Sequence, residues 1–121
     1  MLQFFNENAT LPRRAYQVWL ILVGRARNRQ TITYSQLAEL LGYGDPRPLS
    51  GPLDYLMHYC DQEDLPPLTC IVVSKITGKP GDGMREYSLA DQEDVFSYDW
   101  YNLVPPSPEV LEEMYRARKG G

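Results

Sequence analysis

The chain has 121 residues, 43% of them hydrophobic and 23% charged, with a net charge of −4 and a pI near 4.9. That is enough for one domain with its own core, and no apolar run approaches the roughly 20 residues that span a bilayer. Two cysteines, Cys60 and Cys70, do not make a disulfide framework, and the opening MLQFFNENATLPRR has no basic-then-apolar leader, so a cytoplasmic protein with reduced thiols is expected.

The charge is unevenly spread. Residues 1–60 hold six Lys/Arg and four Asp/Glu, a balance of +2, whereas residues 61–121 hold six and twelve, a balance of −6. Net acidity argues against nucleic-acid binding by the whole surface but leaves the first half open to it.

Thr10 followed by Pro12 marks a helix start. Ala15, Val18, Trp19, Leu22, Val23 and Ala26 recur at helical spacing, and the helix should end near Asn28. Its basic end, Arg25, Arg27 and Arg29, suits either the helix macrodipole or a phosphate. Thr33-Tyr-Ser-Gln36 reads as a capping box, with Leu37, Leu40 and Leu41 as the buried face and Gly42 as the stop. The turn-rich YGDPRP follows. Leu49, Leu53, Leu56, Met57 and Cys60 then predict a second amphipathic helix with Pro52 in its first turn, leaving Asp54, Tyr55, His58 and Tyr59 exposed. This order, helix, glycine stop, turn and helix, is the outline of a helix-turn-helix.

Asp61 to Pro67 should be a loop, Leu68 to Ser74 a strand, Thr77 to Gly83 a tight loop and Arg85 to Leu89 a short returning strand, together a wing. After the proline-broken DWYNLVPPSPEVL, a terminal helix starts at Ser107 with Val110, Leu111, Met114 and Tyr115 on one face. The expected class is α+β, mostly α: a winged helix-turn-helix over 1–90, with a small β-wing, and an acidic, proline-containing helical extension over 91–121 packed on or flanking it.

Few residues promise chemistry. His58 is the only histidine and has no ligand partners at metal spacing. The pairs Glu63-Asp64, Glu93-Asp94 and Glu112-Glu113 are adjacent and point apart, as solvated charges do. GKPGDG lacks the spacing and following hydroxyl of a phosphate-cradling loop. Cys70 is followed by Ile71, not by a base that would lower its pKa, and reads as a buried core residue. No catalytic residue, cofactor or metal is expected.

Ile32-Thr-Tyr34-Ser-Gln-Leu37-Ala38 with Leu41-Gly42, then Arg47-Pro-Leu49-Ser50-Gly-Pro-Leu53, then Pro67-Leu-Thr-Cys70-Ile-Val72-Val73 with Gly78 form one series. Over roughly residues 15–80 it resembles the DNA-binding domain of O6-alkylguanine-DNA alkyltransferases and alkyltransferase-like proteins. The resemblance gives Tyr34 the phosphate of a flipped nucleotide, Arg47 the space of the flipped base, and Ser50 or Gly51 the close approach to the minor groove. In place of the acceptor motif Pro-Cys-His-Arg the chain has Thr69-Cys70-Ile71-Val72, without the histidine relay or the arginine.

The implied function is therefore a non-enzymatic, alkyltransferase-like reader of double-stranded DNA, suited to modified or distorted bases. Arg29, Lys75, Lys79 and Arg85 are expected at phosphates, with Arg47 and the exposed face of helix 49–60 in a groove. The alternative is a protein-interaction module that kept this scaffold and lost DNA binding, to which nine tyrosines, two tryptophans and an acidic second half are suited. No membrane partner is expected.

Overall fold

The computed structural model describes residues 1–79 and 87–120, the side chains at 119 and 120 excepted. Helix α1 (Leu11–Arg27) begins as its sequence dictates: Thr10 Oγ1 accepts the Arg13 N–H at 3.4 Å, and proline sits in the first turn. Ala15, Val18, Trp19, Leu22, Val23 and Ala26 are all buried. The chain leaves α1 through Asn28 and through Arg29, which takes the left-handed φ of +55°.

Strand β1 (Ile32–Thr33) leads directly into α2 (Tyr34–Leu40), and both halves of the Thr33–Gln36 capping box form. Gly42 stops the helix at φ +79°, a conformation that costs a residue with a Cβ. One part of the expected face is corrected: Leu40 is 55% exposed and Ala38 is buried instead. At about 100° per residue, Leu37, Leu41 and Ala38 share one arc, and Leu40 falls about 60° beyond its edge.

A 3-10 turn at Arg47–Leu49 opens α3 (Ser50–Gln62), with Pro52 in its first turn and Leu49, Leu53, Leu56 and Cys60 buried. The expected strand over 68–74 is mostly a 3-10 turn, Leu68–Ile71, closed by the Cys70 N–H on the Pro67 carbonyl at 2.9 Å. Only β2 (Val72–Val73) remains as strand. Leu68 to Val73 are all buried, so the run's hydrophobicity could not separate a strand from a turn.

β2 pairs with β1 in parallel, Ile32 opposite Val72 and Thr33 opposite Val73. The returning strand expected at 85–89 is not seen where it is described: Tyr87 and Ser88 are irregular and Leu89 begins α4 (Leu89–Ser97). Ser88 and Asp91 make a second capping box there, which turns the chain into a helix. Residues 80–86, including most of the expected loop end and Arg85, lie outside the described residues.

Ser107 caps the last helix, α5 (Pro108–Gly120), its hydroxyl accepting the Val110 N–H at 3.2 Å. Trp19 is central to the core, edge-on to Tyr59 at 5.6 Å and to Trp100 at 5.5 Å. Trp100 donates its indole N–H to the Val95 carbonyl at 2.7 Å. Val95, Trp100 and Leu111, all from the acidic last third, join the same core as α1, α2 and α3. The described residues are thus mostly helical with one small two-stranded sheet, and no helix among them is long and apolar enough to cross a membrane.

Candidate nucleic-acid interface

The parallel ladder fixes which candidate residues share an end of the molecule. Tyr34 follows β1 and the turn from Ser74 to Lys79 follows β2, so Tyr34, Lys75 and Lys79 lie off the same end of the sheet. Arg29 precedes β1 and so lies off the opposite end. Its guanidinium pairs with Glu93 of α4 and lies over the Phe96 ring at 5.4 Å. The Glu93 hydrogen bond holds the Arg29 pKa above its ordinary value and Glu93 below its own. Arg29 is spoken for by α4, at the wrong end for a set with the two lysines.

The 74–79 turn is closed by its own backbone: Ser74 N–H to the Lys79 carbonyl at 2.6 Å and Gly78 N–H to the Ser74 carbonyl at 2.8 Å, with Gly78 at φ +70°. Lys75 and Lys79 are exposed on it, either side of Ile76.

Arg47 stands at the entry to α3 with its side chain 90% exposed. Asp45 builds this corner. Its Oδ1 accepts the Arg47 backbone N–H at 2.8 Å and Nε–H at 3.0 Å, while Oδ2 accepts Nη2 at 3.0 Å. The arginine hydrogen bond lowers the Asp45 pKa and raises that of Arg47. Ser50 is exposed and donates to the Arg47 carbonyl at 3.4 Å. Gly51 uses its missing side chain inward: a Cβ there would stand 2.9 Å from Leu11 Cδ2 of α1.

The outward face expected of α3 is corrected. Tyr55 is only 5% exposed, and Asp54, His58 and Tyr59 are partly buried. α5 is the cause. Tyr115 stacks on Tyr55 at 3.9 Å between ring centres and donates its hydroxyl to Asp54 at 2.6 Å, while the Tyr55 hydroxyl donates to Glu112 at 2.9 Å. The His58 ring meets Tyr115 edge-on at 5.7 Å, its Nε2 3.4 Å from Asp54. Tyr59 turns the other way, onto Trp19. The residues of α3 left exposed are Ser50, Asp61 and Gln62, and none of them is a cation.

Cys70 is fully buried, and burial pushes its thiol up to about 12, with Asp91 adding to the effect. Its carbonyl is taken by the Gln92 amide at 3.0 Å. A thiol so placed is a poor nucleophile.

Arg14 was not singled out by its sequence. It is buried, donating to the Leu41 carbonyl at 3.0 Å and to Gln17 at 2.9 Å, with its guanidinium over Tyr43 at 5.1 Å. It ties α1 to the end of α2. The signal was present: Arg14, Val18 and Leu22 are four residues apart, on the apolar stripe. No family model matches the chain, and no curated protein or solved structure matches it either.

Proposed function

We propose that the chain is a non-enzymatic, alkyltransferase-like DNA-binding protein whose footprint is the Arg47 corner and the 74–79 turn. The observation that carries this reading is Arg47 itself. It stands at the entry to α3, is nine-tenths exposed, and has its guanidinium forked on Asp45 rather than used in packing. With Asp45 on its Nε–Nη2 edge, the guanidinium is held so that its Nη1–Nη2 edge is the one left for a phosphate or a base edge. Tyr34 and Ser50 complete the footprint, with Lys75 and Lys79 where a wing would touch the backbone. Arg29 and the α5-covered face of α3 drop out of it. The Pro-Cys-His-Arg acceptor chemistry has no counterpart, and the binding is to duplex DNA with modified or distorted bases.

Titration of labelled duplex at two salt concentrations tests the reading. Three phosphate contacts, from Arg47, Lys75 and Lys79, give a log–log slope of about −2.7, roughly a 40-fold loss of affinity between about 50 and 200 mM salt. Arg47→Ala should weaken binding and flatten the slope, and Lys75→Glu with Lys79→Glu should abolish binding. A second reading, a protein-interaction module, is favoured by one observation: α5 covers the outward Tyr55, His58 and Asp54 of α3 and leaves Asp61 exposed at its end. No duplex binding at low salt would hand the function to that reading.

A further inference from the structure

The turn that follows β2 presents an apolar side chain with almost nothing to pack on. Ile76 is 94% exposed, the third residue after Val73, where the ladder ends. Single exposed apolar residues are ordinary on protein surfaces, so exposure alone decides nothing. What sets Ile76 apart is its mounting and its neighbours.

The mounting is rigid. Val72 and Val73 are buried and paired with β1, so the turn leaves directly from the core. Ser74 N–H donates to the Lys79 carbonyl at 2.6 Å and Gly78 N–H to the Ser74 carbonyl at 2.8 Å. Ser74 Oγ accepts the Ile76 N–H at 3.2 Å and the Thr77 N–H at 3.5 Å, and Thr77 Oγ1 accepts the Lys79 N–H at 3.2 Å. Backbone and two hydroxyls hold the turn, and the Ile76 side chain is not needed for it. A β-branched side chain on a closed turn has few rotamers to lose, so it can be buried at small entropic cost.

The neighbours are cations. Lys75 and Lys79 are both exposed, and neither is ion-paired with a described residue. Tyr34 leaves the same end of the ladder from the adjacent strand. An apolar tip between two ammonium groups matches a base step between its phosphates, where proteins that kink DNA insert such a wedge. A lipid surface fits less well: its hold scales with buried apolar area, and one isoleucine supplies little.

We propose that Ile76 is a specificity-determining residue of the footprint: its side chain inserts between bases while Lys75 and Lys79 hold the flanking phosphates. The inference rests on the DNA reading and deepens it. Insertion costs unstacking, and that cost is smallest where a mismatched or damaged base already stacks poorly. Burying the isoleucine gains the same in either duplex, so the difference in unstacking cost appears as preference for the distorted one.

The test titrates the full chain and its Ile76→Ser and Ile76→Leu variants on two labelled duplexes that differ by one central mismatch. The unmodified chain should favour the mismatched duplex, and Ile76→Ser should cut that preference at least about fivefold. Ile76→Leu keeps an apolar wedge and should keep the preference. All three should share one salt slope, because no charge is removed. A 2-aminopurine beside the mismatch should brighten as it unstacks when the unmodified chain binds, and much less with Ile76→Ser. Duplex binding without a preference, or with one undiminished in Ile76→Ser, would overturn the wedge and leave duplex binding standing. No duplex binding by the unmodified chain would overturn both. Sedimentation with phosphatidylserine vesicles that Ile76→Ser abolishes would overturn the wedge as well, by assigning the residue to a lipid surface. A thermal melt, expected to be unchanged for a side chain this exposed, separates lost contact from lost fold.

Discussion

Replacing Tyr115 with alanine should strip α5 of most of its hold on α3, and the magnitude follows from its contacts. The ring stacks on Tyr55 at 3.9 Å with 9° between planes, an arrangement worth about 1 kcal/mol beyond area burial. The hydroxyl at 2.6 Å from Asp54 adds about 1 kcal/mol, less than a buried charged acceptor gives because Asp54 keeps solvent access. Partial burial of the ring itself contributes about 1.5 kcal/mol. The expected loss is therefore about 3–4 kcal/mol, read as a lower urea midpoint at unchanged m and a melting temperature lower by about 10–20 °C. Tyr115→Phe removes only the hydroxyl and should cost about 1 kcal/mol. Paired with Asp54→Asn in a double-mutant cycle, it should show most of that as coupling. A loss under about 1 kcal/mol for Tyr115→Ala, or strict additivity in the cycle, would refute the seam as the anchor of α5.

Other consequences are open to simple measurement. Arg14→Ala should cost about 2 kcal/mol by urea denaturation, since it unties the Leu41 carbonyl and the Tyr43 ring, and Arg14→Lys should recover only part because it lacks the fork. Burial pushes both Cys60 and Cys70 up to about 12, so intact mass should show neither alkylated in native protein at about pH 8 and both alkylated in denaturant; rapid native labelling of Cys70 would contradict its placement. The Tyr55 hydroxyl, and then Arg116, hold the Glu112 carboxyl below its ordinary pKa. A depressed folded pKa stabilises above the unfolded value of about 4.3 and is lost as pH falls through the folded value, so Glu112→Gln should flatten the stability profile below about pH 5.

What could be read from the sequence was what local chemistry decides. Thr10, the Thr33–Gln36 box, Gly42 and the spacing of Leu49, Leu53, Leu56 and Cys60 act within a few residues, and each element they mark is found. The sheet was not legible, because each strand is two residues long and its partner lies forty positions away. Nor was the cover over α3: Tyr55 and His58 look outward until Tyr115, far along the chain, is placed on them. α4 carries a local mark, the Ser88–Asp91 capping box, which outweighs the short strand expected over 85–89. For the interface, Arg47 was marked by its position before α3, whereas Asp45, which orients it, and Glu93, which removes Arg29, act through contacts only the fold creates.

The net charge of −4 weighs against DNA binding less than it first does, because the charges are separated along α3. Arg47 stands at its start and Asp61, Glu63 and Asp64 at its end; thirteen residues make about 20 Å of helix. At physiological salt the screening length is about 8 Å, so the acidic end is felt at Arg47 at about a tenth of its unscreened strength. Near 0.01 M salt that length grows to about 30 Å, and the acidic end repels the same duplex that Arg47, Lys75 and Lys79 attract. Log affinity against log salt should therefore rise on dilution with the slope of about −2.7 and then bend over toward the lowest salt. Asp64→Asn with Asp94→Lys, two residues that line one hollow with Asp61, should straighten it. A line that stays straight in the unmodified chain would mean that the duplex does not feel the acidic end, and that the footprint is not at the Arg47 end of α3.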